Sequence, residues 1–135
     1  MKIVLDTNCL FRIFPINSQY RYIWDAFLQS RFDLCYSTEI LEEYSEVLSR
    51  FYNPKIAEFI IGILLKSQNT IQITPYYKWN LIFADPDDNK FVDCALIAGA
   101  DYIVTNDRHF NVLKTIDFPP IEVINIEFFK NLLNR

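Results

Sequence analysis

Residues 1–8 read MKIVLDTN, and residues 102–107 read YIVTND. In each, a short apolar run breaks into small polar side chains: Asp6, Thr7 and Asn8 after the first, Thr105, Asn106 and Asp107 after the second. Short runs of this kind are the mark of strands buried on both faces, as in a parallel sheet. Open α/β sheets bind their ligands beyond the carboxyl ends of the strands, and both aspartates fall there. Helix capping is the competing reading for either one alone. Their matched context favours a shared carboxylate site.

Further strand signals follow at Phe32–Tyr36, Thr70–Thr74 and Ile121–Asn125, beside Lys2–Leu5 and Tyr102–Thr105. Helical periodicity lies between them. Tyr20, Ile23, Trp24, Phe27 and Leu28 share one face, as do Ile40, Tyr44, Val47 and Phe51. Asn53-Pro54 reads as an N-cap with proline at the first helical position, opening a helix through Leu64. Asp85-Pro86 precedes a helix over roughly 88 to 100, and Phe128–Leu133 closes the chain. Strands alternating with helices imply a parallel α/β sheet in a single domain, residues 1–135.

A chain of 135 residues, half of them hydrophobic, supports one real core. No apolar run reaches the roughly eighteen residues that a membrane span requires. The three apolar residues after Met1-Lys2 are too few for a secretory segment, so a cytoplasmic protein with no membrane role is expected. Cys9, Cys35 and Cys94 follow no metal-ligand spacing and read as reduced packing residues. With His109 the sole histidine, a metal site here is built from oxygen, which favours Mg²⁺ or Mn²⁺ over zinc. The net charge of −4 argues against a strongly basic nucleic-acid surface, but not against a nuclease with an acidic centre.

The remaining acids separate by geometry. At about 100° per residue, Glu43 lies roughly 40° from Val47 and 60° from Ile40, at the border of the buried stripe. Glu39, Glu42 and Glu46 point farther toward solvent. Asp93 sits in FVDCALIA, apolar on nearly every face, where an unpaired carboxylate is costly. Either a structural hydrogen bond or a metal or cleft role must compensate it. Asp85, Asp87 and Asn89 imitate the start of a calcium-binding EF-hand loop, yet Lys90 replaces the required glycine and Leu96 the bidentate acid. Asp88 and Asp93 are about 140° apart on a helix, so both do not face one metal; Asp93 ranks first and Asp88 is an accessory. Thr7, Asn8, Thr105 and Asn106 serve as caps or orient the carboxylates. Arg108 and His109 are candidate phosphate contacts. Trp24 reads as core, while Tyr76, Tyr77 and Trp79 are left between packing and base stacking.

The opening strand into Asp6-Thr7-Asn8, Glu43 within ILEEYSEVL, and Asp93 in the block DNKFVDCALIAGADYIVTND ending at Asp107 together resemble the PIN-domain ribonucleases. The likeness is to the small toxins of toxin–antitoxin pairs in particular, and it covers essentially the whole chain. It implies a three-layer α/β/α sandwich with a central, mainly parallel sheet of about five strands. It also implies endonucleolytic cleavage of RNA, single-stranded, with Mg²⁺ or Mn²⁺, a cognate antitoxin and a homodimer. By that resemblance Asp6, Glu43, Asp93 and Asp107 form the catalytic quartet, with Thr7, Asn8 and Thr105 in support. Crowded carboxylates repel and call for a cation among them. Asp6 and Asp107 are then expected to ligate it with Asp93 completing the site, while Glu43 orients or deprotonates the attacking water.

Four other classes fit less well. A haloacid-dehalogenase-like phosphatase needs a second acid where Asn8 stands, and a receiver domain needs paired acids before the first helix. Gly62 and Gly99 make neither dinucleotide nor P-loop glycine pattern. The remaining alternative is a catalytically inactive PIN-like module that binds RNA or protein.

Overall fold

The computed structural model describes the whole chain, Met1–Arg135. The first apolar run forms β1 (Lys2–Leu5), in which Ile3, Val4 and Leu5 are each at most 1% exposed. Successive strand residues point to opposite faces, so three buried in a row require cover on both sides. That is why the strand shows no polar–apolar alternation.

The chain continues through α1 (Thr7–Ile13), α2 (Arg21–Leu28), β2 (Asp33–Tyr36), α3 (Thr38–Phe51), α4 (Pro54–Lys66) and β3 (Thr70–Gln72). After an irregular stretch, a 3-10 turn at Pro86–Asp88 leads into α5 (Asn89–Ala98) and β4 (Tyr102–Val104). A 3-10 helix, Arg108–Thr115, then precedes β5 (Val123–Ile124) and α6 (Ile126–Leu133). The five strands form one parallel sheet in the order β3-β2-β1-β4-β5, the centre of a three-layer α/β/α sandwich. Ile3, Val4 and Leu5 pair with Tyr102, Ile103 and Val104. The winding runs outward from β1 to β3, then resumes on the other side of β1 with β4. Such a reversal opens a crevice at the carboxyl ends of the two strands beside it.

Local chemistry accounts for the helix boundaries. Asn53 Oδ1 accepts the Ile56 amide at 2.9 Å with Pro54 behind it, the cap that Asn53-Pro54 predicts. Gly99 ends α5 at φ 65°, a left-handed conformation that side chains resist. The strands are shorter than the apolar runs predict: β3 stops at Gln72 and β5 holds two residues. Beyond β3 the Ile73 amide makes a last ladder bond to the Tyr36 carbonyl before the chain leaves the sheet. The sequence reading did not anticipate α1, too short for a periodic signal, or the 3-10 helix at Arg108–Thr115.

Two polar groups tie the interior together. Tyr44, fully buried on α3, donates its hydroxyl to the Leu5 carbonyl at the end of β1. Asn89, 8% exposed, clamps the stretch before α5: its Oδ1 accepts the Ile82 amide and its Nδ2 donates to the Ile82 carbonyl, each at 2.9 Å. This clamp fixes where α5 begins, and with it Asp88 and Lys90. No helix is long and apolar enough to cross a membrane.

Candidate active site

Four acids gather beyond the carboxyl ends of the strands, each supplied by the segment that follows a different strand. Asp6 follows β1, Glu43 stands on α3 after β2, Asp88 opens α5 after β3, and Asp107 follows β4.

Asp6 is 6% exposed, and its amide bonds the Val104 carbonyl at 3.0 Å, extending the β1–β4 ladder by one residue. Although it occupies the N-cap position of α1, its side chain caps nothing. Oδ2 instead accepts the Thr105 hydroxyl at 2.7 Å. Burial raises the Asp6 pKa; bonds from Thr105 and the Thr7 amide oppose the rise, while Asp107 and Glu43 reinforce it. Thr105 also accepts the Asp107 amide through Oγ1 at 3.0 Å, so one hydroxyl sets both aspartates. Asp107 does cap: its Oδ1 accepts the His109 amide at 2.9 Å.

Glu43 is half-buried and engaged on both oxygens, Oε2 by the Thr7 hydroxyl and Oε1 by Lys90 Nζ at 2.9 Å. Glu39, Glu42 and Glu46 are exposed, as the helical geometry predicts.

Asp88 carries the strongest sign of a missing partner. Its side chain is 13% exposed, and Oδ2 is buried with no hydrogen bond. Burial first, then the charges of Asp85, Asp107 and Asp6, push its pKa to about 7, with His109 opposing. Ligand atoms of Asp85, Asp88 and His109 lie within 4.8 Å of one another. A bare carboxylate oxygen among other carboxylates is a configuration that a hard divalent cation relieves. Asp85, Asp88 and His109 are the converging donors, with the charges of Asp6 and Asp107 acting on Asp88 as well, and this mainly oxygen donor set suits a hard divalent cation.

Asp93 is not in this group. It is buried at 6% exposure, but Oδ1 accepts the Trp79 amide at 3.2 Å, and its charged neighbours are Lys78 and Glu39. Burial raises its pKa, against the Trp79 bond and Lys78. The structural hydrogen bond is therefore what compensates it. Asp88 and Asp93 diverge around α5, and the structure turns Asp88, not Asp93, toward Asp6 and Asp107. The sequence pattern concealed this because Asp88 lies among acids that helix-start chemistry already explains.

The polar companions divide. Thr7 and Thr105 hold site carboxylates. Asn8 is exposed with no such bond, and Asn106 Oδ1 accepts the Ile126 amide at 3.0 Å, tying the end of β4 to α6. His109 Nδ1 stands 3.3 Å from Asp107 Oδ1 and 3.7 Å from Asp88 Oδ2, at the rim of the cluster. Arg108 is exposed and, with Lys114 and Asn125, lines a cleft of about 640 Å³ that reaches Asp107. A second cleft of about 470 Å³, lined by Tyr76, Tyr77, Lys78, Lys90 and Asp93, lies on the loop side of α5. Trp24 is core, packed edge-on against Phe14 at 4.5 Å, whereas Tyr76 is 84% exposed.

Comparison with solved structures places this architecture among known ones. VapBC2 from Rickettsia felis, bound to a DNA fragment from its promoter, contains a chain similar to this one. The TM-score is 0.64 at 19% identity, covering 93% of this chain and 98% of that one. A chain of DNA-bound VapBC from Salmonella typhimurium gives 0.63 at 18% identity with the same coverage. At such identities the likeness is one of fold. No curated protein sequence matches significantly. Residues 2–109 match the PIN domain family, a span that holds all four clustered acids. The chain belongs to the PIN domain family.

Proposed function

We propose that the protein is a divalent-metal-dependent endoribonuclease and the toxin member of a toxin–antitoxin pair. The orphaned Oδ2 of Asp88, beside Asp85 and His109 and under the charges of Asp107 and Asp6, carries this reading. Asp6, Asp88 and Asp107 would hold Mg²⁺ or Mn²⁺, with Asp88 in the place first expected for Asp93. The cation, when bound, supplies Lewis acidity that activates water and offsets charge on a phosphodiester. Thr105 fixes the carboxylate planes of Asp6 and Asp107. Glu43, held between Thr7 and Lys90, orients the attacking water from the α3 side. Arg108 and Lys114 supply positive charge in the cleft beside Asp107, where an RNA backbone would lie.

Partner and setting follow from the family resemblance and the two VapBC likenesses. An antitoxin is the expected regulator, and a cytoplasmic homodimer the expected form. An apolar groove of about 340 Å³, lined by Phe14, Ile16, Trp24, Ile56 and Phe59, supports a protein partner.

The test is cleavage of end-labelled, mixed-sequence single-stranded RNA with Mg²⁺ or Mn²⁺, alongside chelator and Asp6→Asn controls. Metal-dependent fragments absent from both controls are expected. Fragments that persist in Asp6→Asn, or metal binding with no turnover on any RNA, would overturn the assignment in favour of a binding module.

A further inference from the structure

Lys90 brings an ammonium into the acid cluster and leaves it no freedom. Its side chain is 9% exposed, and Nζ contacts Glu43 Oε1 at 2.9 Å, Asp87 Oδ2 at 2.9 Å and the Asp87 carbonyl at 2.8 Å. An ammonium has three donors, so all are used within the protein. The residue is therefore a fixed positive charge, placed by the Asn89 clamp at the start of α5. Glu43 is neutralised where it stands, with Thr7 holding its other oxygen.

The acids sort into two sets. Glu43 and Asp87 face the ammonium, whereas the charges acting on Asp88 are Asp85, Asp107, Asp6 and His109. Only the second set contains a buried oxygen without a partner. We propose that Lys90 is a built-in cation standing where a two-metal centre would carry its second ion. The centre then binds one divalent cation through Asp6, Asp88 and Asp107, and Glu43 is a positioning residue rather than a ligand. A second cation on Glu43 would sit against a fixed ammonium, and like charges at that range repel strongly where solvent is scarce. This inference rests on the metal-dependent reading above and deepens it by setting the metal count.

The experiment is Mn²⁺ binding to the metal-free, full-length protein, read as stoichiometry by calorimetry and by the electron-spin signal of free Mn²⁺. Wild type and Lys90→Arg should bind one ion, and Lys90→Met, which removes the charge at similar volume, should bind two. Glu43→Gln should still bind one ion, with affinity changed by less than about tenfold, the lower bound of outer-shell effects. Asp88→Asn should lose more. Two ions in wild type, or one in Lys90→Met that melts as a folded protein, would overturn the proposal. If Lys90→Met does not fold, Glu43→Gln decides: loss of binding as severe as in Asp88→Asn would overturn it, and retention would support it. No binding by wild type would remove the metal-dependent reading itself, and this inference with it.

Discussion

Replacing Asp88 with Asn removes the one carboxylate whose buried oxygen has no partner. Its consequence for the metal-free protein has a definite sign. The Asp88 pKa rises on folding, from an ordinary 3.8 to about 7. Between those values the folded state binds more protons than the unfolded state, so stability falls as pH rises through that window. The penalty is absent below about pH 4 and complete above about pH 7. The interval corresponds to a ceiling of about 4 kcal/mol. Because Asp88 retains some contact with water, about half of that is the working figure, or a melting shift of about 6–8 °C for a chain this size. The carboxamide carries no charge and offers donors to Asp107 and Asp6, so the variant escapes the penalty. The assay is thermal unfolding of chelator-treated protein from pH 5 to pH 8, wild type against Asp88→Asn. Asp6 and Asp93, also raised, contribute to both proteins, so the difference between the curves isolates Asp88 from them. The wild type should lose ground to the variant as pH rises, and Mn²⁺ at a hundred times its dissociation constant should restore about 2.7 kcal/mol to wild type alone. Parallel pH curves, or equal stabilisation of both proteins by Mn²⁺, would refute the reasoning.

Asp6→Asn should lower RNA cleavage at least about a hundredfold while circular dichroism stays unchanged, since a ligand should cost more than an outer-shell partner. Asp93→Asn should retain most cleavage, because the Trp79 amide rather than the acid cluster faces it; a loss equal to that of Asp88→Asn would return Asp93 to the site. Removing the Asn89 clamp with Asn89→Ala strands the Ile82 amide and carbonyl, and the guanidinium midpoint should report about 2–4 kcal/mol of lost stability. Gly99→Ala forces a side chain into the left-handed region and should cost about 1–2 kcal/mol in the same titration.

Much of this arrangement could be read from the chain because its signals are local. The runs ending at Asp6 and Asp107 identify strands by their own composition, and Asn53-Pro54 announces a cap that forms as written. Glu43 was separable from Glu39, Glu42 and Glu46 because helical angle alone decides which of them borders the core. The choice between Asp88 and Asp93 was not local. Helical angle says that the two do not face one metal together, yet which one faces the cluster depends on where α5 starts, and Asn89 sets that through bonds to Ile82. Burial pointed to Asp93 as the residue in need of a partner; the partner is a backbone amide on a loop that no periodicity marks. In the sequence Lys90 reads only as the residue that breaks a calcium-loop pattern, since its contacts need Glu43 from α3 beside it.

The Asp6 amide closes on the Val104 carbonyl, and that bond has a bearing on when the protein becomes competent. Residues 2–5 leave the ribosome about a hundred residues ahead of their partners on β4. Pairings so distant along the chain are slow to form and are delayed during synthesis until both partners exist. Asp6 and Asp107 therefore stay apart until β4 has been made. A chain that stops short of β4 cannot assemble the acid cluster, which closes in one late step rather than growing with the polypeptide.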